Sequence, residues 1–187
     1  MRADVSEYVP QYARGEVASS RVWLAWGVVV TSAFVFVGLT LFAPLGRVRA
    51  GVWSSVVYAA FGMICHQMPE RSFHVEGHPL AVCARCFGVY AGFAASVLVY
   101  PLMRSLQRTD VPSRVWLLAA VLPLAVDFTL GFTGLWENTH ASRFATGALA
   151  GAASVFYVMP GAIELSHIHR RRLFADAATD KQRRRVS

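Results

Sequence analysis

Residues Val22–Gly46 read VWLAWGVVVTSAFVFVGLTLFAPLG, a run without a single charged side chain. A helix needs about 20 mainly apolar residues to cross the hydrocarbon core of a bilayer, so this run is long enough to do it. Trp23 and Trp26 stand at its start, where amphipathic aromatic rings favour the membrane interface. The stretch reads as a transmembrane helix and sets the class of the molecule. The whole chain agrees, because 55% hydrophobic and only 16% charged residues over 187 positions is too apolar for an ordinary soluble domain.

Moving outward, four further apolar runs appear. The second extends roughly from Val48 to Met68, but it is apolar only as far as Ile64, where Cys65 and His66 interrupt it. The third covers about Val82 to Met103, the fourth Val115 to Trp136, and the fifth Phe144 to Ile163. The expected fold is therefore all-α, a polytopic membrane bundle of about five transmembrane helices. Its expected organisation is a polar segment over residues 1–21, a helical membrane domain over 22–166 with a Cys/His hairpin at 65–86, and a basic tail over 167–187. Asp4, Glu7 and Glu16 precede the first apolar run, which differs from a cleavable secretion signal, so the first helix is expected to remain in the mature protein.

With five spans, alternation puts Arg2, Arg14, Arg21, Arg71, Arg85 and Arg143 on one side of the membrane. The other side receives Arg47, Arg49, Arg104, Arg108, Arg114 and the tail, with Arg170, Arg171, Arg172, Lys181, Arg183, Arg184 and Arg185. Cytoplasmic flanks hold the excess of basic residues, so a cytoplasmic tail and an outward amino terminus and Cys/His hairpin are expected, in the cell (plasma or inner) membrane. The net charge of +7 sits at membrane ends and in the tail rather than on a folded basic face, so the partner implied is the lipid bilayer and not nucleic acid. Basic tail residues near anionic lipid contribute about 1 kcal/mol each, while the last ten residues read as solvated and unstructured.

The chemistry is concentrated in Cys65–Gly92, CHQMPERSFHVEGHPLAVCARCFGVYAG, which holds all three cysteines of the chain together with His66, His74 and His78. Cys65 and His66 end one apolar run, and Cys83 and Cys86 begin the next, on about one face of a first helical turn. Gly77 and Pro79 break the connection, which is long enough to bring the two ends together. Three thiols and an imidazole make a ligand set suited to tetrahedral zinc or another transition metal, with Cys65, His66, Cys83 and Cys86 as first candidates and His74 and His78 in reserve. A helix amino terminus also favours thiolate over thiol.

The same spacing suits a dithiol that exchanges with disulfides, with Cys65 as a third, shuttling thiol. Small membrane bundles of the vitamin K epoxide reductase type offer an analogy through their Cys-x-x-Cys pair. A structural disulfide and inert core thiols complete the alternatives.

Cys65-His66-Gln67, Arg71-Ser72-Phe73, Cys83-Ala84-Arg85-Cys86 and Gly88-x-Tyr90-x-Gly92 resemble the pattern of a bacterial and archaeal membrane family labelled domain of unknown function 2085. Asp127, Asn138, Arg143, Thr146 and Gly147 are similar to that family's second block, so the resemblance covers roughly residues 50–160. It implies a membrane protein and no particular activity. Phe87 and Phe128 depart from the pattern, which has a small polar residue and a glycine there. These departures argue against a substrate path lined by small residues at those points.

Asp127 stands inside the fourth run, where a carboxylate costs on the order of 3 kcal/mol on insertion scales and is normally paired or faces a polar cavity. Arg143 and Arg85 are the expected partners, and Arg71 and His140 belong to the same polar cluster. Two roles stay open for Asp127: an ion pair that fixes helix register, or ion and proton handling. His140 reads as an interface residue. His167 and His169, two apart, face away from each other on a helix and make a poor metal pair. Gly88-x-x-x-Gly92 and Gly147-x-x-x-Gly151 predict close packing of the third helix on the fifth.

Three functional readings follow. The first is a metal-binding membrane protein, the second a membrane thiol-disulfide oxidoreductase using Cys83-x-x-Cys86, and the third a metal-stapled hairpin that binds another protein or lipid.

Overall fold

The computed structural model describes residues 19–48 and 51–186, with side chains over 21–48 and 51–166. Arg2, Arg14, Arg49 and nearly all of the expected polar segment 1–21 lie outside the described residues, as do the side chains of the expected tail 167–187. Among the described residues five α-helices form: α1 Ser19–Val48, α2 Val52–Gly62, α3 Ala84–Met103, α4 Arg114–Phe132 and α5 His140–Val186. Between α2 and α3 lie a 3₁₀ turn, Pro69–Arg71, and two short strands, β1 His74–Val75 and β2 His78–Pro79, paired antiparallel. The all-α membrane bundle read from the sequence is the architecture observed. Where an unstructured end was expected, α5 runs on as helix to Val186.

Four of these helices are long and apolar enough to cross a membrane: Arg21–Val48, Ala84–Met103, Arg114–Phe132 and His140–Ser166. Helix α2 is not, since its 11 residues rise about 16 Å against a core of about 30 Å. The expected second span, Val48 to Met68, is thus much shorter as a helix. The chain leaves it at Gly62 and reverses through Gln67, whose φ of 50° is the left-handed conformation that ends helical propagation.

Packing directions follow from small residues. Added Cβ atoms at Gly88 and Gly92 would run into the backbone of Phe144 and Ala148, and at Gly147 and Gly151 into the backbone of Arg85 and Val89. These contacts advance together along both helices, so α3 and α5 run parallel with backbones nearly touching. The predicted glycine faces meet. Helix α1 runs the other way. Its Trp26 ring N–H donates to the Val97 carbonyl at 2.8 Å, Phe36 packs edge-on to Tyr90 at 5.9 Å, and Ala43 joins Cys65, Ala81 and Val82 in one buried cluster. Val22, at the opposite end of α1, is buried with Tyr100, Leu106 and Ile163.

The amino-terminal end of α1 and the cysteine hairpin therefore lie on opposite faces of the bundle, which corrects the expectation that they share one. The cause is α2. Ser54 donates to the Ala43 carbonyl at 2.7 Å and Phe61 packs on Phe36, so α2 folds back beside α1 without crossing to the far side. Arg21, Arg104, Arg108 and Arg114 share one face with the carboxy-terminal end of the α5 span, and Arg47, Arg71, Arg85 and Arg143 share the other.

Helix α4 is the most peripheral. None of its residues is buried, and Trp116, Leu118, Leu122 and Phe132 project outward, as apolar side chains facing lipid do.

Candidate metal centre

The hairpin between α2 and α3 delivers the cysteines. Glu76 and Gly77, with φ of 51° and 75°, form the two left-handed positions of a tight turn that pairs β1 with β2. The return strand is then stitched to α2. The Tyr58 hydroxyl donates to the Pro79 carbonyl, and the Gln67 side-chain amide donates to the carbonyls of Tyr58 at 2.7 Å and Ala81 at 2.8 Å. Ala81 and Val82 are fully buried behind these bonds. The chain thus reaches Cys83 directly beside Cys65.

Cys83 caps the amino terminus of α3, and its own N–H donates to the Cys65 sulfur at 3.3 Å. The Sγ atoms of Cys65, Cys83 and Cys86 all lie within 4.8 Å of one another, and all three are free thiols. A tetrahedral site with Zn–S bonds of about 2.3 Å has an edge of about 3.8 Å, within about 1 Å of the limit on the observed separations. Cys65 is buried, and Cys83 and Cys86 are half-buried. Hydrogen bonds from the Cys65 thiol first, then from Cys86, hold the Cys83 thiol well below the usual thiol range. A thiol held low is the one readiest to give the thiolate, the form that binds metal.

His66 does not join it. Its side chain is exposed and no ring nitrogen belongs to the three-sulfur group, nor do His74 and His78. Cys65 turns inward and the residue after it turns outward, because the chain is already leaving the helix and reversing at Gln67. The expected set of Cys65, His66, Cys83 and Cys86 is met by its three sulfurs.

The polar cluster lies one helix face away. Arg85 forms an ion pair with Asp127, their side chains 19% and 10% exposed, so the carboxylate inside α4 faces the bundle and not lipid. The Asn138 amide donates to the Asp127 carbonyl, tying the α4–α5 connection to the same residue. Arg143 makes no ion pair among the described residues, yet it lies within electrostatic reach of Arg71, Arg85, Asp127 and Cys83. His140 packs on Phe73 at 5.6 Å, which also meets Phe87 and Phe144. Phe87, one of the departures, is thus part of an aromatic wall. Phe128, the other, lies under the Arg85 guanidinium at 5.4 Å. Gln67 and Tyr58, which fasten the hairpin, were given no role from sequence. The polar Gln67 inside the Cys-His-Gln motif was the available signal.

A family model described as "Predicted membrane protein (DUF2085)" matches residues 65–157, from the first cysteine to the middle of α5. An uncharacterized protein of Methanocaldococcus jannaschii is 43% identical over 122 residues, 64% of this chain and 78% of the relative. An uncharacterized protein of Methanothermobacter thermautotrophicus is 35% identical over 96 residues, 51% of this chain and 85% of the relative. No solved structure matches the chain. The matched segment begins at Cys65 and takes in Cys83, Cys86, Arg85 and Asp127, and with it the chain belongs to the membrane-protein family of domain of unknown function 2085.

Proposed function

We propose that the protein is a metal-binding membrane protein holding one zinc or similar transition metal through Cys65, Cys83 and Cys86. The observation that carries this is the meeting of three sulfurs within 4.8 Å, the only cysteines in the chain, at the junction of two helices and a stitched hairpin. A structural disulfide needs two thiols and leaves the third without a purpose. With three ligands from the chain, such a metal supplies a Lewis-acid position open to a fourth ligand, the arrangement of catalytic rather than closed structural sites. The chain's own part is to hold the sulfurs together, keep the Cys83 thiol low and bury Cys65 from solvent.

A second reading has its own support. Cys83 at a helix amino terminus, with its thiol held low, is also the layout of an attacking thiol, with Cys86 positioned to resolve a mixed disulfide.

The membrane domain over 22–166 is oriented in this reading with the hairpin outward and the basic segment 167–187 in the cytoplasm. With α2 folded back, the basic end of the chain joins Arg21, Arg104, Arg108 and Arg114 on one face. That supports a cytoplasmic tail, and in this reading the amino-terminal end of α1 faces the same side.

Elemental analysis of detergent-purified protein, combined with a count of reactive thiols before and after chelation, tests the metal. One metal per chain, lost with Cys83→Ser and unmasking three thiols on chelation, is expected. Metal-free protein containing a reducible disulfide overturns the metal reading in favour of the redox one.

A further inference from the structure

Beside the three thiols, positive charge exceeds what the chain neutralises. Arg85 in the first turn of α3 and Arg71 in the 3₁₀ turn both lie within electrostatic reach of Arg143 in the first turn of α5, and the ion pairs among the described residues give the three a single carboxylate, Asp127. Glu70, Glu76 and Glu137 lie on the same face and pair with none of the three. The Arg85 guanidinium is also only partly used. Its Nη2 holds Asp127, while its Nε, closed off from solvent, has no acceptor.

Two further buried atoms in this region lack partners. Asn138, 9% exposed, donates to the Asp127 carbonyl and leaves its Oδ1, which lies beside Gly131, without a donor. The His140 Nε2 is the third, on a ring fixed against Phe73. Buried polar atoms are nearly always satisfied in folded proteins, by ordered water or by a ligand where the protein supplies no partner.

The chemistry of that ligand is readable from the orphans. Arg85 Nε offers a hydrogen, Asn138 Oδ1 needs one, and His140 Nε2 does either according to tautomer. Two guanidiniums without carboxylate partners among the described residues call for negative charge, and their forked donors match the oxygens of an oxyanion. A carboxylate supplies acceptors alone. A phosphate supplies charge, acceptors and a hydroxyl, either its own or that of an attached glycerol.

We infer that Arg71, Arg85, Arg143, Asn138 and His140 form a binding site for a phosphate group on the hairpin face of the membrane. The inference does not rest on metal occupancy, since none of these residues is a candidate metal ligand. Free phosphate and the phosphate of a phosphatidylglycerol headgroup share the required chemistry.

The test uses the full chain, stripped with a chelator so that phosphate has no metal to bind. The protein is placed in phosphatidylcholine nanodiscs and titrated calorimetrically with inorganic phosphate. A parallel sample in phosphatidylglycerol is extracted into detergent and weighed by native mass spectrometry for retained lipid.

Arg143→Gln is the informative variant, because Arg143 holds no ion pair whose loss would unfold the bundle, and Arg108→Gln on the opposite face is the control. One phosphate per chain, weakened at least tenfold by Arg143→Gln and less than twofold by Arg108→Gln, supports the site with free phosphate as ligand. One retained phosphatidylglycerol, lost in Arg143→Gln alone, supports it with lipid as ligand. Absence of both, or equal weakening by the two variants, overturns the inference.

Discussion

Replacing Gly92 by alanine should be among the most damaging conservative changes in the membrane domain. The added Cβ would stand 2.6 Å from the Ala148 Cα and 2.7 Å from its carbonyl carbon. Ordinary carbon contacts are about 3.5–4.0 Å, so α3 and α5 must separate by about 1 Å. The obstacle is backbone, which cannot rotate aside as a side chain can, and the displacement spreads along the most extensive helix contact in the structure. Overpacking costs of about 1–3 kcal/mol therefore apply near their upper end. At roughly 2–4 °C per kcal/mol for a chain of this size, thermal unfolding followed by far-ultraviolet circular dichroism in mild detergent should shift down by about 6–12 °C. Gly161→Ala is the matched control, because nothing lies within 4 Å of a Cβ there and alanine gains about 1 kcal/mol in a helix interior. That variant should melt at or slightly above the parent temperature. If the two alanine variants melt alike, backbone-to-backbone packing of α3 on α5 is wrong, and the placement of Arg85 with it.

Two further outcomes are expected. Asp127→Asn leaves the Arg85 guanidinium without its counter-charge inside the bundle and should lower stability by about 2–4 kcal/mol, whereas adding Arg85→Gln to it should recover part of the loss, measured as a double-mutant cycle of melting temperatures. An additive cycle would refute the pair. Reporter enzymes fused after Ser187 and, separately, ahead of Met1 should both show cytoplasm-type activity, because α2 does not cross; export-type activity at one end alone would restore a five-span topology.

Much of this architecture was legible because lipid imposes a strict demand. A crossing helix must be long, apolar and internally bonded, so α1, α3, α4 and α5 stand out in the residue pattern. Helix α2 did not, since Val52–Ile64 is as apolar as a span, and its interruption at Cys65 and His66 marked the run as short without showing that the chain turns back there. The error then propagated into topology, because one uncrossed segment reverses the side assigned to every residue before it. Convergence of the cysteines was legible from their scarcity and from chain connectivity. The role of His66 was not, because adjacency in sequence says little of direction where the backbone leaves a helix. The partner of Asp127 could be narrowed to two arginines, but selecting Arg85 required the register that Gly88, Gly92, Gly147 and Gly151 impose.

Helix α3 gives a physical reason for both sites to share one turn. Cys83 and Cys86 point toward α2 and Cys65, while Arg85, between them in sequence, projects about 100–200° around the axis toward α4. Gly147 lets α5 approach the Arg85 carbonyl directly, so the first turn of α3 is gripped by backbone contact on one side and by the stitched hairpin on the other. Neither grip passes through a cysteine sulfur or a guanidinium. Under the metal proposal, a metal at the thiols would act on side chains that these two grips do not use. Under the two proposals, coupling between the sites would run through charge: a metal on the three sulfurs would leave a net negative complex beside Arg71, Arg85 and Arg143, and an oxyanion on those arginines would offset their positive charge in turn.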